Sequence, residues 1–281
     1  MKFSNTRLLW LAACCSAGLA RAQLELVTNA GPQSVFFGEA KEIPVTFHNP
    51  DGRDFRSEIR TRIFQASSAT AIPLGERPWQ ELRVLARQTI LESAPLDFPP
   101  VKAETKFLIQ WLEKTNRVIG TTEVLVYPTN LLDQLKPLVD ESRKNLGLLD
   151  PQNQLKPALQ HAGMEFVDLA ETELDAFSGK LALVGACGPH DPEWSGLAGR
   201  IRKLAQKGTP VVWIQRPPQK HDLIQPSFYI VPQNRAVVFV VQPGLVADLP
   251  DNPQSQLNLI YFCRLALNPQ PPALPDLSAQ P

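Results

Sequence analysis

The chain has 281 residues, 43% of them hydrophobic, with 28 lysines and arginines balanced by 28 aspartates and glutamates. A net charge of zero argues against nucleic acid as a partner, because its binders carry a strongly basic face. The hydrophobic share argues for packed cores instead of disorder, and the length suits one large or two ordinary domains. The 27 prolines predict a loop-rich chain with a stiff tail.

The first 22 residues read as a targeting segment. Lys2 and Arg7 form a positive start, Leu8 to Leu19 an apolar core, and Ala20-Arg21-Ala22 a small-x-small cleavage pattern that leaves Gln23 as the new first residue. The apolar run is too short for a permanent bilayer span, so the mature chain is expected to carry no transmembrane helix. The expected location is periplasmic or extracellular. A competing reading takes Leu11-Ala12-Ala13-Cys14 as a lipobox, with a lipid anchor on Cys14, although only a short apolar stretch then precedes that cysteine. Past this segment only Cys187 and Cys263 remain, which is no disulfide framework. They read as two separate buried thiols.

Residues 23 to 128 read as all-β. Ile43, Val45 and Phe47 alternate with polar or neutral neighbours, as do Phe55, Ile59 and Ile63. Leu82 and Val84 follow, then Phe107, Ile109 and Trp111, then Val118, Thr122, Val124 and Val126. Period two means one buried face per strand. Asn49-Pro-Asp-Gly52, Gly75-Glu-Arg-Pro78, Phe98-Pro-Pro100 and Lys114-Thr-Asn116 are expected turns. The pattern resembles bacterial immunoglobulin-like β-sandwiches, with Trp111 as the core aromatic and without the cysteine pair of antibody domains.

Residues 129 to 145 form a connector in which Leu131, Leu132, Leu135, Leu138 and Val139 recur at helical spacing. From 146 to 267 strands and helices alternate, which predicts an α/β domain with a mostly parallel sheet. Leu146–Leu149, Met164–Leu169, Lys180–Val184 and Pro210–Ile214 are its expected strands, with Phe228–Val231 and Ala236–Val241 on the far side. Asp150-Pro151, Asp191-Pro192 and Asn252-Pro253 each offer a cap followed by proline at a helix start. Trp194, Leu197, Ile201 and Leu204 share one helix face, and Leu257, Ile260, Tyr261 and Leu265 belong to the last helix. Residues 268 to 281 are a proline-rich tail.

The centre of this half is Lys180 to Asp191, a strand running into Val184-Gly185-Ala-Cys187-Gly188-Pro-His190-Asp191. With the next strand, Pro210-Val-Val-Trp-Ile-Gln215, it resembles the class I glutamine amidotransferase-like fold, a flavodoxin-like α/β domain. The resemblance covers residues 140 to 267. It implies that the Gly185–Gly188 loop stands where the active family forms part of its oxyanion hole. It puts Gln215 where that family has its nucleophilic cysteine, and a carboxamide cannot attack a carbonyl. The glycines that allow a strained nucleophile elbow are also missing. Val241-Gln242-Pro243-Gly244 resembles the family's His-Pro-Glu segment, with Gln242 and Gly244 at the two catalytic positions. The resemblance therefore implies a degenerate site and a binding or assembly role toward a protein or glycan of the cell envelope.

Other residue groups offer rival chemistry. Cys187 with His190 or His221 has the composition of a thiol hydrolase. His190-Asp191 and His221-Asp222 follow neighbouring strands and have the donor types of a metal site. Against these, Asp191 serves as a helix cap, and no elbow surrounds Cys187. Trp79 is a candidate platform for a sugar, the signature of a carbohydrate-binding accessory protein, or else the anchor of a turn. Arg200, Arg202, Lys203 and Lys207 read as a solvated helix face. The sequence carries no glycine-rich phosphate loop and implies no cofactor.

Overall fold

The computed structural model describes residues 23–27, 31–139, 145–170, 176–185, 194–214, 228–233, 235–240, 245–246 and 248–268, with the backbone alone at 194–195, 198 and 228–240. The chain divides into two compact units. The first takes Met1–Gln33, Gly38–Pro99 and Glu104–Val126, and the second takes Ser34–Phe37, Pro100–Ala103 and Tyr127–Pro281.

The amino-terminal strands are β1 (Glu25–Val27), β2 (Gln33–Phe36), β3 (Gly38–His48), β4 (Phe55–Ala66), β5 (Ala71–Val84), β6 (Thr89–Phe98), β7 (Thr105–Glu113) and β8 (Val118–Tyr127). They form a three-stranded sheet of order β1-β3-β6 and a five-stranded sheet of order β2-β8-β7-β4-β5. The period-two pattern is what the burial shows on β3, β4 and β7, whereas Val118 at the start of β8 is exposed. Ile43, Val45 and Phe47 are buried on β3, Phe55, Ile59 and Ile63 on β4, and Phe107, Ile109 and Trp111 on β7. Rings from the two sheets meet between them. Trp111 lies 5.7 Å from Phe47 edge-on and 5.0 Å from Trp79, and Phe98 lies 5.3 Å from Phe107. The buried Trp111 spends its one donor on Thr122 Oγ1 at 2.8 Å. β8 passes so close to β1 that a Cβ on Gly120 would stand 2.5 Å from the Cβ of Leu26.

One expectation fails here and one strand was not foreseen, both at sheet edges. Gly75 to Pro78 is not a turn but the middle of β5. Ile59 pairs with Gln80 and Arg60 with Pro78, so Trp79 is the extra residue of a bulge and belongs to a strand instead of anchoring a turn. The strand β6 lacked a reading because Pro95 interrupts it. Pro95 faces outward on the edge of its sheet, where a missing N–H costs no ladder bond. The outward side of the larger sheet carries cross-strand ion pairs, Arg56 with Glu81, Arg60 and Arg62 with Glu76, and Lys106 with Glu123. One buried polar residue organises the β3–β4 turn. Asn49 donates from Nδ2 to the carbonyls of Arg53, Val84 and Leu85 and accepts from Asp51 N–H through Oδ1.

The second unit opens with a 3-10 helix, Leu131–Leu135, and α1 (Lys136–Val139), then runs β9 (Leu146–Leu149), α2 (Lys156–His161), β10 (Val167–Asp168), β11 (Leu181–Val184) and α3 (Trp194–Gln206). It finishes with β12 (Val211–Ile214), β13 (Phe228–Gln233), β14 (Arg235–Val240) and α4 (Pro253–Leu267). The sheet order is β10-β9-β11-β12-β14-β13, parallel throughout except for β13, which pairs antiparallel with β14. Every residue of β9, β11 and β12 is buried, as befits strands covered on both faces. Val184, Leu197, Ile201, Leu204 and Trp213 share one core cluster. Gly208, at φ 97°, turns the chain out of α3 into β12, and its N–H bonds the Ala205 carbonyl at 2.9 Å.

Three local expectations are corrected. α2 starts at Lys156, not beside Asp150-Pro151. The second strand is Val167–Asp168, shorter than Met164–Leu169. On α4 the buried stripe is Leu259, Ile260, Phe262, Cys263 and Ala266, whereas Tyr261 is half-exposed. Asn252 does cap α4, accepting from Gln254 N–H at 2.9 Å.

Candidate functional site

In chain order the parallel strands are β9, β10, β11, β12 and β14, and across the sheet they run second, first, third, fourth, fifth. The chain leaves β9 toward one edge of the sheet and from β11 onward builds toward the other. At such a divergence a crevice opens beyond the carboxyl ends of the two central strands, and open α/β sheets bind their ligands there.

The residues at that point are Asp150, which follows β9, and Gly185, which follows β11. Leu149 and Val184 are register partners, so Asp150 and Gly185 emerge in step. Gly185 N–H donates to the Leu149 carbonyl at 2.7 Å, which carries the pairing one residue past the strands. A Cβ on Gly185 would sit 2.9 Å from Asp150 Oδ1 and 3.5 Å from its Cα, so this approach needs glycine. Asp150 Oδ2 accepts from Leu155 N–H at 2.7 Å and Lys156 N–H at 2.8 Å. These are amides at the start of α2, with no intrahelical acceptor of their own. The carboxylate thus caps α2 from across the loop, five and six residues upstream of the amides it binds. Its other oxygen, Oδ1, is buried and has no hydrogen-bond partner among the described residues. A buried acceptor without a donor is destabilising, so this oxygen is an unsatisfied polar atom lying under Gly185.

One strand further out, Asp168 ends β10. Its Oδ1 accepts from Ala170 N–H at 3.0 Å, and its Oδ2 pairs with Lys156 Nζ. The hydrogen bond from Lys156 holds the Asp168 carboxyl below the usual carboxylate range. Lys156 therefore ties α2 to β10 through its side chain and to Asp150 through its backbone. Two fixed carboxylates flank the amino end of α2, an arrangement suited to orienting donors on a ligand.

Of the site residues expected from sequence, Gly185 lies at this point of divergence, directly after β11. Cys14, Cys187, Gly188, His190, Asp191, Gln215, His221, Asp222, Gln242 and Gly244 lie outside the described residues. Among the described residues no group of three or more histidine, cysteine, aspartate or glutamate side chains is arranged to hold a metal ion. Cys263 is buried in α4, and burial pushes its thiol up to about 12, far from the thiolate that a nucleophile requires. Trp79 packs against Trp111 and Phe47, so part of its ring area is committed to the core. Asp150 was missed as a site residue because the Asp-Pro pair reads as a local cap. The available signal was its place directly after an apolar strand.

No family model matches the chain, and no curated protein does. Among solved structures, a β-glucosidase from Listeria innocua in complex with glucose is similar over 38% of this chain and 16% of its own, at 16% identity and a TM-score of 0.28. The Pseudomonas fluorescens alkylpurine DNA glycosylase AlkC, bound to DNA containing an abasic site analog, is similar over 38% of this chain and 31% of its own, at 10% identity and a TM-score of 0.30. The β-glucosidase EmGH1 from Erythrobacter marinus is similar over 37% of this chain and 15% of its own, at 11% identity and a TM-score of 0.29. The chain spans less than a third of each of these proteins, and likenesses of this size bear neither on its fold nor on its activity.

Proposed function

We propose that the protein is an exported, non-catalytic binding or assembly protein of the cell envelope. In this reading an immunoglobulin-like sandwich precedes a flavodoxin-like, amidotransferase-like domain whose site has lost its catalytic groups. The observation that carries it is the strand order of the second unit, with its divergence between β9 and β11. That order supports comparing the carboxyl edge with an amidotransferase site strand by strand. On this comparison β12 ends at Ile214, and the residue that follows is Gln215, a carboxamide where the family has its thiol. At the point of divergence the described residues offer Asp150, a carboxylate held by the amides of α2, with no described side chain placed to activate it as a nucleophile.

The test uses the purified mature protein. Hydrolysis of glutamine, simple esters and aryl glycosides is measured beside binding to fractionated envelope proteins and glycans. The expected result is no turnover above buffer together with saturable binding to one envelope component. That binding should weaken in Asp150→Asn, which leaves the strands in place but changes the acceptor. Turnover that disappears in Cys187→Ala overturns the proposal in favour of a thiol hydrolase.

A further inference from the structure

The amino-terminal edge of the first unit holds a carboxylate of a different kind, Asp51. Leu24 is buried at 1% exposure, and the next residue enters β1, where Glu25 is the register partner of His48. These two anchors fix the residue before them, Gln23, whose backbone nitrogen donates to Asp51 Oδ2 at 2.6 Å. Asp51 is itself held in place. Its N–H donates to Asn49 Oδ1 at 3.1 Å, its carbonyl accepts from Arg87 N–H at 3.0 Å, and Asn49 is fully buried. The backbone of Asp51 is therefore held in place, and from there its carboxylate reaches the nitrogen of Gln23.

That group depends on processing. In the unprocessed chain the nitrogen belongs to the Ala22–Gln23 peptide bond and carries one proton. Cleavage of this bond, expected from Ala20-Arg21-Ala22, turns the same atom into an α-ammonium with three. A hydrogen bond charged on the acceptor side alone then becomes an ion pair, charged on both sides. We propose that the mature amino terminus is Gln23, and that Asp51 clamps its ammonium group and so slows its cyclisation to pyroglutamate. The inference rests on the export reading given above.

The chemistry is that of an amino-terminal glutamine. The lone pair of the α-nitrogen attacks the Cδ carbon of the same residue's carboxamide. A ring C–N bond forms and the C–NH2 bond breaks. The nitrogen leaves as ammonia, taking the proton that the amine gives up, and a neutral lactam remains. Only the unprotonated amine has the lone pair, and a carboxylate within hydrogen-bond reach favours the protonated form. The hydrogen bond also fixes the nitrogen in a direction set by Asp51, away from free rotation toward its own side chain. An exposed ion pair of this kind lowers the reactive fraction by roughly two- to fivefold.

The full-length chain is produced with its own leader in a bacterium, and the exported protein is purified. Its first residue is identified by peptide mass, and ammonia loss is followed with time at neutral pH for the wild type and for Asp51→Ala, folded and in denaturant. The expected result is a free amine on Gln23, roughly two- to fivefold faster ammonia loss in folded Asp51→Ala, and equal rates once both are denatured. Equal rates in the folded proteins overturn the clamp while leaving export intact. A chain that is never cleaved, or one that begins with a lipid-bearing Cys14, overturns the assignment of Gln23 itself. If Asp51→Ala does not fold, folded and denatured wild type are compared instead. The folded form should cyclise more slowly, and equal rates again overturn the clamp.

Discussion

The two units bury their hydrophobic residues by different rules. In the first, strands such as β3, β4 and β6 hide one side chain in two over much of their length, and the outward side is tied by pairs such as Arg62 with Glu76. In the second, β9, β11 and β12 hide every residue, as strands packed on both faces do. The first core is therefore built from a few large rings that interdigitate, with Trp111 at the centre. The second is built from short aliphatic runs at close spacing, where a missing side chain matters as much as a present one. Gly147 on β9 shows this, since a Cβ there would stand 2.8 Å from both Leu169 Cδ1 and Phe177 Cζ. One unit should thus fail when volume is removed and the other when it is added.

The largest expected effect tests that contrast. Trp111→Ala should destabilise by about 3–5 kcal/mol, as for other buried aromatic truncations. Gly147→Val, which overfills its site, should cost about 1–3 kcal/mol. Urea denaturation of the two variants measures both, and a larger loss from Gly147→Val would reverse the proposed ranking. Next in size is Asp150→Ala, which leaves Leu155 and Lys156 N–H without their acceptor, at a cost of about 1–3 kcal/mol. If the same assay gives no loss, the carboxylate does not cap α2, and the start of that helix is held by other contacts.

The smallest effect concerns acid. Ala40 N–H and then Arg77 hold Asp97 below the ordinary carboxylate range, and Lys136 and Lys156 do the same for Asp133 and Asp168. A carboxyl whose folded pKa is depressed stabilises the fold above its unfolded pKa, about 3.9, and that contribution is lost as pH falls through the folded value. The contribution of these three carboxylates should therefore be flat above about pH 5 and fall below about pH 4. Lys156→Met should shrink the acid-sensitive part that belongs to Asp168. An unchanged acid profile in Lys156→Met would mean that this pair contributes nothing to the second unit.

The same contrast explains what could be read from sequence. Period two marked β3, β4, β7 and β8 because each has one wet face, and the continuous apolar runs of β11 and β12 stood out between glycine and proline breaks. The failures have physical causes. β6 and the first half of β5 contain Pro95, Pro73 and Pro78, which speak against strands, yet edge strands accept proline because half their backbone groups face no partner. On α4, Leu257 and Tyr261 suggested the wrong stripe, because the surface that α4 covers is set by the 3-10 helix and β14 packed against it. In the candidate site, Gly185 could be placed from sequence because it directly follows an apolar strand. Asp150 was not, since its role depends on β9 and β11 being neighbours, a relation between residues 35 positions apart that no local pattern encodes.

The buried Asn49 has a bearing on how the protein ages. Its amide nitrogen serves three carbonyl oxygens at once, so hydrolysis to aspartate would set a negative oxygen against all three. Spontaneous loss of ammonia from asparagine runs through a five-membered imide, formed when the next backbone nitrogen attacks the side chain. Here the next residue is Pro50, whose nitrogen has no proton to give up. The turn thus places its least replaceable side chain before a residue that closes this route of decay, and a long-stored sample should keep Asn49 intact.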